Sequence, residues 1–156
     1  ADGVYFTYTE DKPISFNPFY TDDYKYDVEK KDSIKTLLLT LWKSDDDRIS
    51  KTESGELGSA VSSYIQRITA DRGIVPSFNT FYEYIRDDYR KELDGREIKV
   101  SREDFNIDNF LTTLRQYYRG GRFDFLLNSA ENIDLLSKRF IVFEIDAVKG
   151  APVKAA

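Results

Sequence analysis

Apolar residues repeat at helical spacing in four stretches of this sequence. In each stretch they recur at i, i+3, i+4 and i+7, which places the side chains on one face of an α-helix. The stretches cover residues 33–43, 50–70, 77–95 and 107–119, and the pattern predicts a helix in each. The apolar positions are Ile34, Leu37, Leu38, Leu41 and Trp42; Leu57, Val61, Tyr64, Ile65 and Ile68; Phe78, Phe81, Tyr82, Ile85 and Tyr89; Ile107, Phe110, Leu111, Leu114, Tyr117 and Tyr118.

The residues at the ends of these stretches indicate where the helices begin and end. Ser50 and Glu53 have the spacing of a capping box, and Ser77 is a good N-cap for the third helix. We expect Gly73 to end the second helix in the left-handed conformation, and the pair Gly120-Gly121 to stop the fourth.

Three short segments outside the helices have strand-like patterns. Residues 4–9 alternate in period two, residues 140–145 are almost unbroken apolar, and residues 122–127 are a weaker candidate. Residues 13–19 contain two prolines and predict an ordered loop. Because three short strands make a meagre sheet, we predict an α+β fold, mainly α. A four-helix subdomain would be flanked by strands of a sheet completed outside this chain.

These patterns divide the chain into the parts of a single domain. Residues 1–27 hold the first strand and an Asn-Pro-Phe loop, and residues 28–121 form the helical subdomain. Residues 122–150 return as strands, and residues 151–156 are expected to be a disordered tail. Because the sequence contains no methionine, we expect that Ala1 is not a translation start and that the chain comes from a longer gene.

The composition excludes most of the common types of active site. The chain has no cysteine and no histidine, so it has no thiol nucleophile, no imidazole base and no zinc finger. Its net charge of -5 argues against nucleic-acid binding as the main role, because phosphate neutralisation needs clustered cations. The longest apolar stretch, at residues 140–145, is far shorter than the ~20 residues that cross a bilayer. We therefore expect a soluble domain with no catalytic residues of its own.

Several polar motifs resemble known sites but have the wrong spacing. Asp45-Asp46-Asp47 lacks the glycine and the final glutamate of an EF-hand loop. Asp87 and Asp88 are neighbours on a helix and point about 100° apart, so they cannot face each other as a carboxylate pair. The glycine clusters at residues 55–59 and 120–122 lack the Gly-Lys-Ser/Thr ending of a phosphate-binding loop. We interpret the acidic residues as solvated and find no nucleotide site.

The sequence allows two interpretations for the aromatic residues of the third and fourth helices, and two for Asp146. The aromatic residues of the third and fourth helices alternate with arginines, as in a stacking platform for single-stranded nucleic acid, although helical spacing favours core packing. Tyr117 and Tyr118 therefore face either a core or a partner. Asp146 ends the apolar segment at a position where α/β proteins place functional carboxylates, although a turn residue is the favoured interpretation. The platform candidates are Phe78, Tyr82, Tyr89, Tyr117 and Tyr118 with Arg86, Arg90, Arg115 and Arg119.

Three segments in a fixed order carry a resemblance to a known family. They are Ser15–Phe19 (Ser-Phe-Asn-Pro-Phe), residues 120–123 (Gly-Gly-Arg-Phe) and Arg139–Asp146, which contains Phe-Glu-Ile-Asp. Their order resembles the TraG-type ATPases of conjugative transposons, which belong to the conjugation and type IV secretion ATPases, over nearly all of residues 3–149. The resemblance implies a helical insertion in a RecA-like sheet. It also implies that the chain is an internal fragment between the Walker A and Walker B motifs, which would lie outside it.

The resemblance also implies a function. The intact parent is expected to be an ATPase that uses ATP and Mg²⁺ to energise DNA or protein export, whereas this fragment holds no catalytic residue, cofactor or metal. Its own role would be subunit contact or substrate coupling. Asn17, Pro18 and Phe19 are expected to fix the loop that joins the helical insertion to the sheet, and Asp146 to mark the return to it.

The expected partners are other subunits of the same ATPase and proteins of the secretion channel. Direct nucleic-acid binding by this fragment and membrane insertion are not expected. The expected location is the cytoplasm, at the cytoplasmic face of the inner membrane. The alternative interpretation is a stand-alone protein–protein interaction module without enzymatic activity, which would use its acidic and aromatic surface.

Overall fold

The computed structural model describes residues 15–130, and this part of the chain is helical. Its α-helices are α1 (Val28–Trp42), α2 (Lys51–Ala70), α3 (Phe78–Tyr84), α4 (Arg90–Gly95) and α5 (Ile107–Leu114). Helices α3 and α4 are joined without a break by a π-helical segment, Ile85–Tyr89. Short 3-10 helices lie at Asp22–Tyr24 and Arg115–Tyr117. The segments α3, π and α4 form one continuous rod, residues 78–95, which we call the third rod. With this rod taken as one helix, the four predicted helices are confirmed.

The predicted strands have two different outcomes. The segments at residues 4–9 and 140–145 lie outside the described residues. The third candidate, residues 122–127, is wrong as a strand because the chain turns there. Phe123, Leu126 and Leu127 all bury their side chains, and this three-plus-one spacing suits successive turns rather than the alternation of a strand. Residues 15–130 contain no strand.

Helix α1 begins five residues earlier than its apolar pattern indicates. The Asp27 side chain caps it, since Asp27 Oδ1 accepts a hydrogen bond of 2.7 Å from the Lys30 amide. The first turn has no buried side chain, and its one apolar residue, Val28, is exposed. A turn that buries nothing leaves no apolar signal in the sequence.

Helix α2 has the predicted start and an unpredicted end. Ser50 Oγ accepts from the Glu53 amide and Glu53 Oε1 accepts from the Ser50 amide, both at 3.0 Å, so the capping box is confirmed. The prediction of a left-handed Gly73 is wrong. Among the glycines of residues 15–130, Gly120 has a positive φ and Gly73 does not. Instead Asp71 ends the helix in an extended conformation, and its Oδ1 accepts from the Gly73 amide at 3.0 Å. An aspartate turn of this kind needs no left-handed residue.

The π segment follows from the spacing of the core residues along the third rod. Phe81, Ile85, Tyr89 and Leu93 are each four residues apart and face the core. On an ideal α-helix such a series drifts by about 40° at every step, because four residues turn ~400°. The wider π turn, in which the Arg90 amide donates to the Ile85 carbonyl, corrects this drift.

One core, rich in aromatic rings, fills the space between the helices. Phe19 is fully buried against Phe81 and Tyr64, each with ring centroids 5.1 Å away. At the other end the Trp42 ring packs against Phe110 at 5.3 Å. Some of the aromatic hydroxyl groups are paired within the core: that of Tyr82 donates to the Leu111 carbonyl at 2.6 Å. The rings hold α1, α2, the third rod and α5 around a single centre.

A buried ion pair ties α2 to the end of the third rod. Glu56 is 8% exposed, and both of its carboxylate oxygens accept from Arg96 Nη1, at 2.6 and 3.0 Å. Arg96 Nη2 also donates to the Tyr89 hydroxyl at 3.2 Å. Because the charges are paired and hydrogen-bonded, the carboxylate is tolerated in the core.

Candidate functional site

The two ends of the described chain meet at one place, which we call the neck (residues 15–19 and 125–129). The Phe16 amide donates to the Leu126 carbonyl at 2.9 Å, and the Phe16 carbonyl accepts from the Ser129 amide at 3.2 Å. Ser15 Oγ donates to the Phe125 carbonyl at 2.6 Å. The helices therefore form a closed unit that the chain enters and leaves side by side.

Asn17 connects the neck to the loop between α2 and α3. Its Nδ2 donates to the Pro76 carbonyl at 2.7 Å, and its Oδ1 accepts from the Phe19 amide at 3.0 Å. The Asn17 side chain is buried. The same loop is also held by the Tyr26 hydroxyl, which donates to the Phe19 carbonyl at 2.6 Å. Each hydrogen-bonding group of the carboxamide thus holds a different stretch of backbone.

Pro18 and Phe19 complete this loop and are buried with Asn17. The Phe19 ring reaches the core, and Pro18 fixes the backbone φ of the turn between the two anchored residues. The structure therefore brings Asn17, Pro18 and Phe19 together at the neck. Asp146 lies outside the described residues.

Tyr117 and Tyr118 have different environments. Tyr117 is fully buried beside Phe78 and Phe123, and desolvation raises the pKa of Tyr117 to about 12. Tyr118 is half-buried and stacks on Tyr82 with ring centroids 4.5 Å apart. Tyr117 therefore faces the core, and Tyr118 lies at its edge.

A stacking platform on the third and fourth helices is wrong for most of its candidate rings. Phe78, Tyr82, Tyr89 and Tyr117 are all core residues, so their faces are not open to bases. The Tyr118 hydroxyl donates to Glu83 Oε2 at 2.6 Å, and this carboxylate raises the pKa of Tyr118. A carboxylate beside the remaining ring does not suit a phosphate backbone.

Two depressions lie on either side of Val75 beside the neck. One, which we call the polar groove, has a volume of about 670 Å³ and runs along the end of α2 and the start of the third rod. The other, the tyrosine pocket, has a volume of about 310 Å³ and is lined by Tyr20, Tyr24 and Tyr26. Asn17, Val75, Ser129 and Ala130 line both depressions. Both therefore open at the end of the subdomain where the chain enters and leaves.

Paired charges form the rim of the polar groove. Arg67 Nη1 lies 2.5 Å from Asp88 Oδ2, and Arg119 Nη1 lies 3.0 Å from Glu83 Oε2. The Arg86 guanidinium donates two hydrogen bonds to Asp87, which lower the pKa of that carboxyl. Because each cation has an adjacent anion, the rim gives little net attraction for a charged ligand.

The other polar motifs of the sequence have structural roles or are solvent-exposed. Asp45 and Asp46 are exposed, and Asp47 Oδ2 accepts from the Ser44 amide at 2.9 Å. The glycines at 55 and 58 lie inside α2. Across residues 15–130, no group of three or more acidic side chains is arranged to hold a metal ion. Within the same range, no helix is both long enough and apolar enough to cross a bilayer.

Sequence reasoning missed the features that join the neck to the core. The Pro76 carbonyl is a backbone acceptor, which no residue type reveals, and the Glu56–Arg96 pair joins residues 40 positions apart. Tyr20, Tyr24 and Tyr26 lie within seven residues of the sequence, and this cluster of tyrosines was the available signal of a pocket wall.

Comparison with protein families gives a match that covers nearly all of the sequence. The family model described as the TraG P-loop domain matches residues 1–155, nearly the whole chain. Neither the curated proteins nor the solved structures gave a match.

Proposed function

The chain belongs to the TraG P-loop domain family, and from this premise we propose that it is the helical subdomain of a conjugative-transfer ATPase of type IV secretion. The parent would bind ATP and Mg²⁺ through parts of the protein outside residues 15–130. It would stabilise the charge of the transferred phosphoryl group, as P-loop enzymes do.

The neck is the observation that carries this proposal. When a subdomain is inserted between two neighbouring strands of a sheet, the chain must leave the subdomain close to the point where it entered. Otherwise the two flanking strands could not be neighbours. Phe16 is hydrogen-bonded to Leu126 and Ser129, more than one hundred residues further along the chain. The closed helical unit supports an insertion in a larger domain better than a stand-alone module.

The proposed role of the subdomain is coupling between the nucleotide-binding part and a subunit or substrate. Asn17 is suited to this role because it contacts both the segment that enters the subdomain and the loop before α3. A displacement of residues 15–16 would be passed through Asn17 to Pro76 and from there to the third rod. Partners would be other subunits of the ATPase and proteins of the channel, at the cytoplasmic face of the inner membrane.

An Asn17→Asp variant of the intact parent tests the coupling role. An aspartate keeps the size of the side chain and the acceptor for Phe19, but it replaces the donor to Pro76 with a second acceptor. We expect ATP binding to be unchanged, and conjugative transfer per ATP hydrolysed to fall at least about fivefold.

Asn106→Asp is the matched control for this experiment. Asn106 caps α5 by accepting from the Asn109 amide at 3.0 Å, and an aspartate caps a helix equally well. Equal transfer by the Asn17→Asp variant and the unchanged parent would contradict the coupling role.

Calorimetry with ATP tests the assignment of the chain within its parent. We expect no saturable binding to residues 1–156 and clear binding to the parent protein. Saturable binding by the chain alone would contradict the proposal. Absence of binding by both proteins would favour the interaction module.

A further inference from the structure

A third depression lies at the end of the subdomain opposite the neck, and we call it the distal pocket. The third rod begins beside Pro76, which the neck contacts, and it spans about 25 Å at a rise of ~1.5 Å per residue. The distal pocket lies where this rod ends and α5 begins, and its volume is about 190 Å³. Every residue that lines it lies between Arg90 and Asp108, so its walls belong entirely to the described part of the chain.

The loop between α4 and α5, residues 96–106, contributes much of the wall of the distal pocket and is held at both ends. At its start, Arg96 is paired with the buried carboxylate of Glu56. At its end, Phe105 packs edge-on against Trp42, with ring centroids 5.8 Å apart. Because the loop is fixed by these contacts, binding to it would cost little conformational entropy.

The cations that line the distal pocket outnumber the carboxylates. Arg90 Nη2 donates to Asp108 Oδ1 at 2.6 Å, and Arg102 Nη2 lies 3.4 Å from the other oxygen of the same carboxylate. The hydrogen bond from Arg90 holds the pKa of Asp108 below its usual value, so one negative charge serves two positive ones. The Lys99 ammonium donates to the backbone carbonyl of Asp94, which is a neutral group. With the Asp94 carboxylate included, the lining has three cations and two anions.

Arg102 is the cation of this group that is open to a partner. Its side chain is 73% exposed, and its contact to Asp108 is longer than an ordinary hydrogen bond. A guanidinium has several N–H donors and can bind a carboxylate through two parallel hydrogen bonds. In the polar groove, by contrast, Arg67 and Arg119 each lie within 3.0 Å of a carboxylate of their own. The distal pocket therefore attracts an anion more strongly than the polar groove does.

Apolar side chains line the distal pocket beside these charges. Leu93, Val100 and Ile107 are half-buried, and Phe105 is buried. On the same loop, Ile98 is 85% exposed. A volume of about 190 Å³ is smaller than most small-molecule sites and suits a single apolar side chain of a partner.

The combination of positive charge and apolar surface indicates the kind of partner. A protein segment can place a carboxylate beside Arg102 and an apolar side chain in the pocket. A nucleic-acid backbone gains nothing from the apolar lining, and its repeated phosphates would pass the exposed carboxylates of Asp94, Glu103 and Asp104. The matching charge therefore favours an acidic and partly apolar protein segment.

We propose that the distal pocket binds a segment of a protein partner in which an acidic residue lies next to an apolar one. Arg102 and Lys99 would pair with the carboxylate, and Leu93 and Val100 would contact the apolar side chain. The proposal deepens the coupling role and rests on it for its purpose, because a partner bound here would be joined to the neck through the third rod. Binding itself requires no ATPase activity.

Selection of peptides on the full chain tests the proposal. The probe is a phage library of random peptides about seven residues long, and we expect enrichment of sequences in which Asp or Glu adjoins a large apolar residue. A labelled synthetic copy of an enriched peptide should bind the Arg102→Glu chain at least about tenfold more weakly than the unchanged chain. Lys25→Glu is the matched control, because Lys25 is exposed, lines none of the three depressions and undergoes the same change of charge. It should alter the affinity by less than about twofold.

Three results would overturn the proposal. They are an absence of enrichment, enrichment of peptides without an acidic residue, and equal weakening by the two substitutions. A single-stranded oligonucleotide whose binding to the chain is lost in Arg102→Glu and kept in Lys25→Glu would also overturn it, in favour of nucleic acid as the occupant. None of these results would affect the role of Asn17, which is measured separately by transfer per ATP hydrolysed.

Discussion

Single carboxamide and hydroxyl groups decide how the neck and the core hold together. Asn17 satisfies a donor and an acceptor of two separate backbone segments, while the buried Tyr117 hydroxyl has no hydrogen-bond partner among the described residues. A buried polar atom costs free energy when it is unpaired and contributes a little when it is paired. The two residues should therefore respond to substitution in opposite ways.

Replacing Asn17 by aspartate should lower the free energy of unfolding of the chain by about 1–3 kcal/mol, because two oxygens would then face each other at Pro76. Urea denaturation measures the change. Asn106→Asp should stay within about 0.5 kcal/mol of the unchanged chain, because it keeps its cap. A smaller loss in Asn17→Asp than in this control would contradict the hydrogen bond to Pro76.

Replacing Tyr117 by phenylalanine should leave the free energy of unfolding unchanged or raise it by up to about 1 kcal/mol, because the hydroxyl is buried without a partner. Tyr82→Phe is the matched control, and it should lower the free energy of unfolding by about 1 kcal/mol, because the Leu111 carbonyl loses its donor. Thermal denaturation of the two variants compares them directly. A clear loss of stability in Tyr117→Phe would show that its hydroxyl has a partner.

At the scale of elements, the helices follow from local patterns, and their irregularities follow from contacts distant in sequence. The Ser50–Glu53 capping box is complete within four residues, so the sequence predicts it. The four-residue spacing from Phe81 to Leu93 was visible, but it indicates a π turn only when all four side chains are known to face one core. The turn at residues 122–127 depends on Gly121, whose backbone lies against the Gln116 carbonyl so closely that a Cβ would be 2.5 Å from its oxygen.

The neck was predictable only in part, because its local residues can be read from the sequence and its distant contacts cannot. The sequence named Asn17, Pro18 and Phe19 through a resemblance, and the structure places them together at the neck. The contacts that hold this loop involve the Pro76 carbonyl, which accepts from Asn17, and the Leu126 carbonyl, which accepts from Phe16, and backbone atoms carry no sequence signal. Tyr117 was ambiguous because helical spacing fixes a face without showing what covers it.

The start of α2 should depend on pH through Glu53. Burial raises the pKa of Glu53, but hydrogen bonds from Lys43 and from the Ser50 amide outweigh it, so the folded pKa lies below the ordinary value of 4.5. The carboxylate thus stabilises the fold fully above about pH 4.5, and this contribution is lost as the pH falls through the folded pKa. Glu53→Gln should show a shallower loss of stability below pH 4.5 in urea titrations at several pH values. Parallel curves for the two proteins would contradict the shift.

The link between α2 and the third rod should depend on the Glu56–Arg96 pair. Arg96→Met leaves the buried Glu56 carboxylate unpaired, and we expect a loss of about 1–3 kcal/mol in the free energy of unfolding. Arg102→Met is the control, because Arg102 is 73% exposed and its contact to Asp108 is 3.4 Å long. That change should stay within about 0.5 kcal/mol. Equal effects of the two substitutions would contradict a structural role for the buried pair.

On the scale of the whole molecule, residues 15–130 share one continuous aromatic core and join their own ends. A protein of residues 15–130 should therefore unfold in one cooperative transition, with the helical content of this region retained. Far-ultraviolet circular dichroism during thermal denaturation checks this. A broad transition with little near-ultraviolet signal would show that the core needs residues outside this range.

The neck also decides how the subdomain responds to mechanical force. A pull applied between the two flanking segments acts first on the hydrogen bonds that join residues 15–16 to residues 125–129, because these lie at the points of attachment. Phe16 and Leu126, which one of these bonds joins, are core residues, so the load passes from the neck into the edge of the aromatic core. The neck is therefore the part of the subdomain that bears such a force first, and the helices are loaded only through it.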